Sequence, residues 1–178
     1  QATLAATVPH LLSRVEWLDR LLDAFTGVVV ANEVLDAMPV ERFVVRDGTI
    51  RALGVRAAPG GLEACEGEAS AALVDAVHAI ERDAGIAWPE GYASEVNLGL
   101  AGWLQSLAAT VTRGVLLFVD YGLPRREYYA AERRDGTLLC HFRHRVHDDP
   151  VARPGLQDIT AWVDFTALAE AGAAAGLQ

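Results

Sequence analysis

Two apolar runs most constrain how this chain can fold. Residues 27–31 read GVVVA and residues 114–119 read GVLLFV, and neither run contains a charged side chain. Such runs are typical of strands that are covered on both faces, as in parallel sheets. Helical spacing of apolar residues between the two runs indicates an α/β architecture. Ligands bind beyond the carboxyl ends of the strands in such sheets, so the residues that follow each run are the first candidates for a site.

The first run ends at Asn32 and Glu33, and Asp36 comes three residues later. If a helix begins at Glu33, the two carboxylates lie on roughly the same face and can bind a guanidinium together. Acidic residues are equally favoured in the first turn of a helix, where they cap it. These residues alone leave both interpretations open, and capping is the commoner role.

The second run ends in Asp120-Tyr121-Gly122. One interpretation is a plain turn in which Gly122 adopts a positive φ. The other is that the acid and the aromatic ring line a ligand cleft next to Asn32 and Glu33. The residues by themselves favour neither.

The segment CHFRHRVHDD (140–149) has the residue types of a metal site, since thiol, imidazole and carboxylate are all ligands of zinc. As one strand, however, it places His141 on the same face as Arg143 and Arg145, which would repel a cation. We therefore expect no metal here and predict a polar loop that contacts substrate or neighbouring helices. The two cysteines lack CxxC spacing, so no disulfide framework or zinc ribbon is expected.

Local patterns predict most of the other elements. The clearest is a hairpin over 41–55, because Asp47-Gly48 lies between two arms rich in β-formers. Further predictions are a helix over 2–13, a short strand at 14–18, a loop over 56–68, a helix from Leu73 to about Gly85, a helix over 94–112 capped by Ser94, a polar and loop-rich stretch over 123–158 and a helix over 164–174 capped by Asp164.

Composition excludes several classes of function. A net charge of −9 over 178 residues argues against nucleic-acid binding, which needs a basic surface. No apolar run approaches the roughly 20 residues of a membrane span, so we expect no membrane segment and a cytoplasmic location. The sequence starts within helix-like residues without a cap and stops as a helix finishes, so we expect it to be an internal piece of a longer protein.

Several stretches together resemble the MidA family of class I S-adenosylmethionine-dependent methyltransferases, which includes the mitochondrial enzyme that methylates an arginine during complex I assembly. They occur in family order and cover nearly the whole chain: GVVVANEVLDAMPVERF (27–43), YASEVN (92–97), GVLLFVDYG (114–122), REYY (126–129), DGTLLCHFRHRVHDDP (135–150) and PGLQDITAWVDF (154–165).

The resemblance implies a partial Rossmann-like methyltransferase sheet with a β-hairpin and a helical insertion. It divides the chain into central strands and hairpin (1–55), a mainly helical insertion (56–112) and the remainder of the methyltransferase domain (113–178). The glycine-rich cofactor loop and the acid that holds the ribose are expected upstream of residue 1. The chain would then supply the substrate side of the enzyme and be inactive alone.

The resemblance also implies S-adenosyl-L-methionine as cofactor and a protein arginine in a bacterial cytoplasm as acceptor; the oligomeric state is left open. The residue roles it implies are Glu33 and Asp36 for catalysis, Asn32, Asp19 and Asp120 for the cofactor, and Tyr121 and His144 for the substrate. Asp158 and Thr160 belong to the motifs without an assigned role. The alternative is a non-catalytic binding or assembly factor that retains the methyltransferase fold.

Overall fold

The structure is a computed structural model that describes residues 2–178. After a 3-10 turn at Pro9–Arg14 comes a mixture of strands and helices, which confirms the predicted α/β class. In chain order the elements are α1 (Ala2–Thr7), β1 (Phe25–Asn32), β2 (Glu41–Arg46), β3 (Thr49–Ala58), β4 (Gly61–Glu68), α2 (Ala71–Ala84), β5 (Ala93–Val96), α3 (Leu100–Ala108), β6 (Val111–Val119), β7 (Gly122–Leu123), α4 (Arg125–Tyr128), β8 (Leu139–Phe142), β9 (Arg145–His147), β10 (Asp158–Thr160), β11 (Val163–Asp164) and α5 (Phe165–Ala174).

The two apolar runs are neighbouring parallel strands, β1 and β6, in a register that pairs Asn32 with Val119. Both strands therefore end at the same edge. The expectation that they are covered on both faces is wrong for the described residues, since Val28 and Val30 are 60% and 67% exposed. The reason is that only one face is packed, with Trp103 of α3 against Phe118 of β6.

An antiparallel sheet in the order β4-β3-β2-β5 forms the second layer, and α2 packs on it. Its β2–β3 turn at Asp47-Gly48 confirms the predicted hairpin. The predicted loop over 56–68 is wrong, because β3 continues to Ala58 and β4 pairs with it along its whole length. The glycines and glutamates of β4 are poor strand formers. Backbone pairing with β3 along the whole of β4 overrides that propensity.

The helix predicted over 94–112 is wrong at both ends. Residues 93–96 form β5, which pairs with β2 and is buried along its whole length, so Ser94 is a core residue and caps nothing. Helix α3 begins only at Leu100, and Val111 already belongs to β6. Pairing with β2 therefore determines the conformation of residues 93–96, although the apolar spacing of 94–112 is helical.

Two further expectations fail near the start of the chain. Residues 14–18 form no strand, and the helix predicted over 2–13 stops at Thr7. Pro9 accounts for this, because proline lacks the amide that would continue the helix and clashes with the preceding turn.

Two other predicted helix boundaries are confirmed, the end of a helix near Gly85 and the cap at Asp164. Helix α2 ends at Gly85, which has a φ of 65° and lies in the left-handed region. The side chain of Asp164 accepts hydrogen bonds from the amides of Thr166 and Ala167 at 2.9 and 3.0 Å, and so caps α5.

The segment 56–112 contains the helices α2 and α3 together with the strands β4 and β5. The stretch 123–158 contains α4 and the short strands β8 and β9. The division at residues 55 and 112 stays a prediction. Within residues 2–178 no helix combines the length and apolarity that a bilayer crossing requires.

The pairing of β1 with β6 depends on a glycine. A Cβ at Gly114 would lie 2.0 Å from the carbonyl oxygen of Gly27, so the two backbones must separate to admit a side chain. We expect Gly114→Ala to lower the free energy of unfolding by about 1–3 kcal/mol, measured by urea denaturation. Gly102→Ala is the matched control, since a Cβ there meets nothing within 4 Å and alanine favours a helix. Equal stability of the two variants would contradict this register.

Candidate functional site

The carboxylate of Asp120 ties the ends of the two parallel strands together. Its Oδ2 accepts hydrogen bonds from the amides of Val34, Leu35 and Asp36 at 3.1, 2.8 and 3.3 Å, and its Oδ1 accepts from the amide of Tyr121 at 2.9 Å. Four backbone donors converge on one side chain. The turn that follows β1 is thus held to the residue that follows β6.

The helix considered at Glu33 does not form, and residues 33–38 make a turn instead. Glu33 has a φ of 50°, in the left-handed region, which a regular α-helix cannot include. The expectation that Glu33 and Asp36 cap a helix is therefore wrong, because Asp120 supplies the acceptor for the free amides. The carboxylate of Glu33 instead accepts a hydrogen bond from the hydroxyl of Tyr121 at 2.8 Å, and this bond raises the pKa of Tyr121.

Asp36 is 6% exposed. Burial raises its pKa, and the nearby carboxylates of Asp120 and Glu33 raise it further. Both effects act in the same direction, because each disfavours the charged form of Asp36. Asp36 is thus a carboxyl group with an increased affinity for a proton.

Beside these residues lies a cavity of about 350 Å³. It combines three carboxylates with two aromatic rings, and no arginine is among its lining residues. The lining consists of Glu33, Asp36, Ala37, Tyr121, Leu139, His141, Asp158, Thr160 and Trp162. Outside the lining, the guanidinium carbon of Arg133 lies 5.1 Å from the centroid of the Trp162 ring.

Three consecutive amides fasten the far wall of the cavity. Ala161 donates to the carbonyl oxygen of Asp36 at 2.9 Å, and Val163 donates to the carbonyl oxygen of Tyr121 at 2.8 Å. Between them, Trp162 donates to Oγ1 of Thr137 at 2.9 Å. The wall is thereby attached to both strand ends and to a third point deeper in the protein.

The structure brings Glu33, Asp36 and Tyr121 together in this cavity and places Asp120 directly behind them. Asn32 ends β1 at the same edge and is exposed, but it does not line the cavity. Asp19 is an exposed residue in a bend before β1, outside the cavity.

His144 also lies outside the cavity, and the strand alternation used for residues 141–147 in the argument against a metal site does not hold, because two short strands form there. Arg143 and His144, with φ values of 49° and 63°, form the two-residue turn between β8 and β9. Because positive φ at both central residues reverses the chain, the alternation breaks there. His141 of β8 faces the cavity instead.

Six lining residues were not placed in the site from the sequence, and one of them, Ala37, directly follows Asp36 in the turn after β1. The other five lie on β8, on β10 and in the loop before β11, and β8 meets β10 through antiparallel pairing of Ile159 with Cys140. Of these, Asp158 and Thr160 were named beforehand for their motif membership, and His141 as part of the segment 140–149. The five are Leu139, His141, Asp158, Thr160 and Trp162.

Two ligand classes can be compared with this geometry. Within residues 2–178 no three His, Cys, Asp or Glu side chains are grouped to hold a metal ion. For a cofactor, Asn32 fits as an exposed amide at the strand edge. Asp120 holds backbone amides with both of its oxygens, and its role in binding a cofactor stays a prediction. The turn after β1 contains no glycine that would let a phosphate or ribose approach the backbone.

We expect Asp120→Ala to cost about 1–3 kcal/mol of unfolding free energy, because it leaves several amides of the turn without their acceptor. Urea denaturation measures this. Asp158→Ala, which removes an exposed carboxylate from the opposite wall, should change stability by no more than about 0.5 kcal/mol. Unchanged stability of the Asp120 variant would contradict the holding role given to this residue.

Asp36 generates a prediction about pH. Since its pKa is raised in the folded state, its contribution to stability is complete below the ordinary carboxyl pKa of about 4 and is lost as pH rises through the raised pKa. Asp36→Asn removes the titrating group. We therefore expect this variant to gain stability relative to wild type from acid to neutral pH, measured by denaturation midpoints. A difference that stays constant with pH would contradict the raised pKa.

A family model described as "Putative S-adenosyl-L-methionine-dependent methyltransferase" matches residues 1–178. Two similar crystal structures are of Burkholderia thailandensis proteins of one superfamily; one is described as a "likely methyl transferase" bound to S-adenosyl-homocysteine, and the other is a native structure. Each is 44% identical over 98% of this chain, with TM-scores of 0.87 and 0.88. This chain spans 44% and 46% of the length of those two chains, which is less than half of each. No curated protein matches this chain. By the match over its whole length, the chain belongs to this methyltransferase family.

Proposed function

We propose that the protein transfers a methyl group from S-adenosylmethionine to an arginine side chain of an acceptor protein. The residues described here form the acceptor side of that site. The observation that carries this proposal is the cavity, which joins Glu33, Asp36 and Asp158 with the rings of Tyr121 and Trp162 and has no arginine in its lining.

Acidic and aromatic lining suits a guanidinium better than other common acceptors. A guanidinium is a planar cation with five N–H donors, and carboxylates accept pairs of these donors. Its flat face also stacks on aromatic rings. A carboxylate or phosphate acceptor would instead be repelled by three like charges.

Glu33 is the group that orients the acceptor in this proposal. The hydroxyl of Tyr121 donates a hydrogen bond to Oε1 of Glu33. The left-handed backbone of Glu33 sets the direction in which its side chain leaves the main chain. The other carboxylate oxygen is then available to accept an N–H of the guanidinium. Since methyl transfer requires in-line attack by nitrogen, holding that nitrogen in place supplies much of the rate enhancement.

Asp36 is the group that takes the proton in this proposal. When bound, the cofactor supplies an electrophilic methyl group. As the new C–N bond forms and the C–S bond breaks, the guanidinium gives up one proton, and S-adenosyl-homocysteine leaves as the other product. The raised pKa of Asp36 makes it a stronger base than an ordinary carboxylate.

Asn32 is the described residue that we assign to the cofactor side, since its exposed amide lies at the edge that β1 and β6 share. The remaining cofactor contacts, including the expected glycine-rich loop, we place outside these residues. The share of the Burkholderia chains that this chain covers supports that division. MidA membership, with its link to complex I assembly, belongs to the same proposal.

The test is methyl transfer by the full-length protein, with labelled S-adenosylmethionine and a peptide library in which each arginine is also replaced by lysine. We expect arginine peptides to be labelled, and Glu33→Gln to lower kcat by about 100-fold or more. Calorimetric affinity for S-adenosyl-homocysteine should stay unchanged. Glu132→Gln, an exposed glutamate outside the cavity, should transfer like wild type.

Two results would overturn the proposal. Full activity of Glu33→Gln would remove the acceptor-side carboxylate from the mechanism. Binding of the peptides and of S-adenosyl-homocysteine by wild type without any transfer would instead support the non-catalytic binding factor.

A further inference from the structure

A buried carboxylate lies behind the wall of the candidate site and takes no part in lining its cavity. Glu95 of β5 is 1% exposed. Its Oε1 accepts hydrogen bonds from the amide and the hydroxyl of Thr137, both at 2.7 Å, and from the hydroxyl of Tyr128 at 2.9 Å. Burying a carboxylate is costly unless such bonds compensate it, so its presence here needs a reason.

The other oxygen of Glu95 makes the arrangement more specific. Oε2 has no hydrogen-bond partner within the described residues, and it lies 2.2 Å from where a Cβ of Gly136 would be. Residue 136 must therefore remain glycine for the loop to close over the carboxylate. The backbone at Gly136 and Thr137 is pressed against Glu95 and bonded to it.

The carboxylate also fixes the direction of the hydrogen bonds that it makes with the two hydroxyls. A carboxylate only accepts, so the hydroxyls of Thr137 and Tyr128 both donate to Glu95. The Thr137 oxygen keeps its lone pairs as acceptors, and it accepts the amide of Trp162 at 2.9 Å. A chain of bonds thus runs from Glu95 through Thr137 to the cavity wall.

We propose that Glu95 is a positioning residue, which acts through Thr137 to fix Trp162 in the wall of the candidate site. The consequence for acceptor binding rests on the proposed function. Of the three amides that fasten the wall, those of Ala161 and Val163 bond to the two strand ends. The amide between them, that of Trp162, is the one that Glu95 controls.

The ring of Trp162 has a separate restraint, the guanidinium of Arg133. This contact bears on the orientation of the ring, whereas the Thr137 bond bears on the backbone. The two restraints can therefore be separated by variants that change Thr137 and leave Arg133 in place.

The experiment uses full-length protein labelled with 5-fluorotryptophan and fluorine NMR, with the Trp162 resonance assigned from Trp162→Phe. We expect Glu95→Gln and Thr137→Val to shift or broaden the Trp162 resonance, and Thr137→Ser to restore it, because serine keeps the hydroxyl. The Trp103 resonance should stay in place. Ser94→Ala is the matched control, since Ser94 is the neighbouring buried residue of β5 and its hydroxyl makes no hydrogen bond within residues 2–178.

A Trp162 resonance that is unchanged in Thr137→Val would overturn the proposal. If Glu95→Gln does not fold, the Thr137→Val and Thr137→Ser pair decides alone. With the arginine peptides as probe, we expect Thr137→Val to raise the acceptor KM by about tenfold, with a smaller change in kcat and recovery in Thr137→Ser. An absence of transfer in wild type would count against the proposed function, while the fluorine result still decides whether Glu95 positions Trp162.

Discussion

The hydrogen bonds of Asp120 are the interaction on which the rest of the site depends. Parallel pairing brings the ends of β1 and β6 to one edge, but it leaves the amides that follow β1 without partners. Asp120 accepts three of them and its neighbour's amide as well. That arrangement replaces a helix cap and is compatible with the left-handed backbone of Glu33. In the same turn Asp36 is buried, and burial together with the neighbouring carboxylates raises its pKa.

Local chemistry made part of this structure predictable. The two apolar runs were correctly predicted as parallel strands of one sheet, and the Asp47-Gly48 hairpin and the Asp164 cap depend on residues close together in sequence. The carboxylates after each run were also correctly expected to meet. Their roles were not, since the sequence could not reveal that Asp120 would bond amides 84 to 86 residues away.

The predictions that failed share a physical cause. The strand β5 was taken for helix and β4 for loop because both owe their conformation to partner strands rather than to their own residues. The far wall of the cavity was missed for the same reason. His141 and Asp158 face each other only because β8 and β10 pair, and the turn at Arg143-His144 that directs His144 away uses residues with no turn signature.

A protein that concentrates like charges in one cavity gives up stability for function. Glu33, Asp36 and Asp158 repel one another, and the left-handed Glu33 adds backbone strain. The buried Glu95 behind the wall adds a further cost. These features suit a site that receives a cation, since a bound guanidinium would relieve the repulsion among the three carboxylates.

The most direct test of that account is to locate the transferred methyl group by tandem mass spectrometry, after reaction of the full-length protein with deuterium-labelled S-adenosylmethionine and an arginine-containing acceptor. We predict the label on a guanidino nitrogen of arginine. Label on a lysine amine or on a carboxylate would contradict the account.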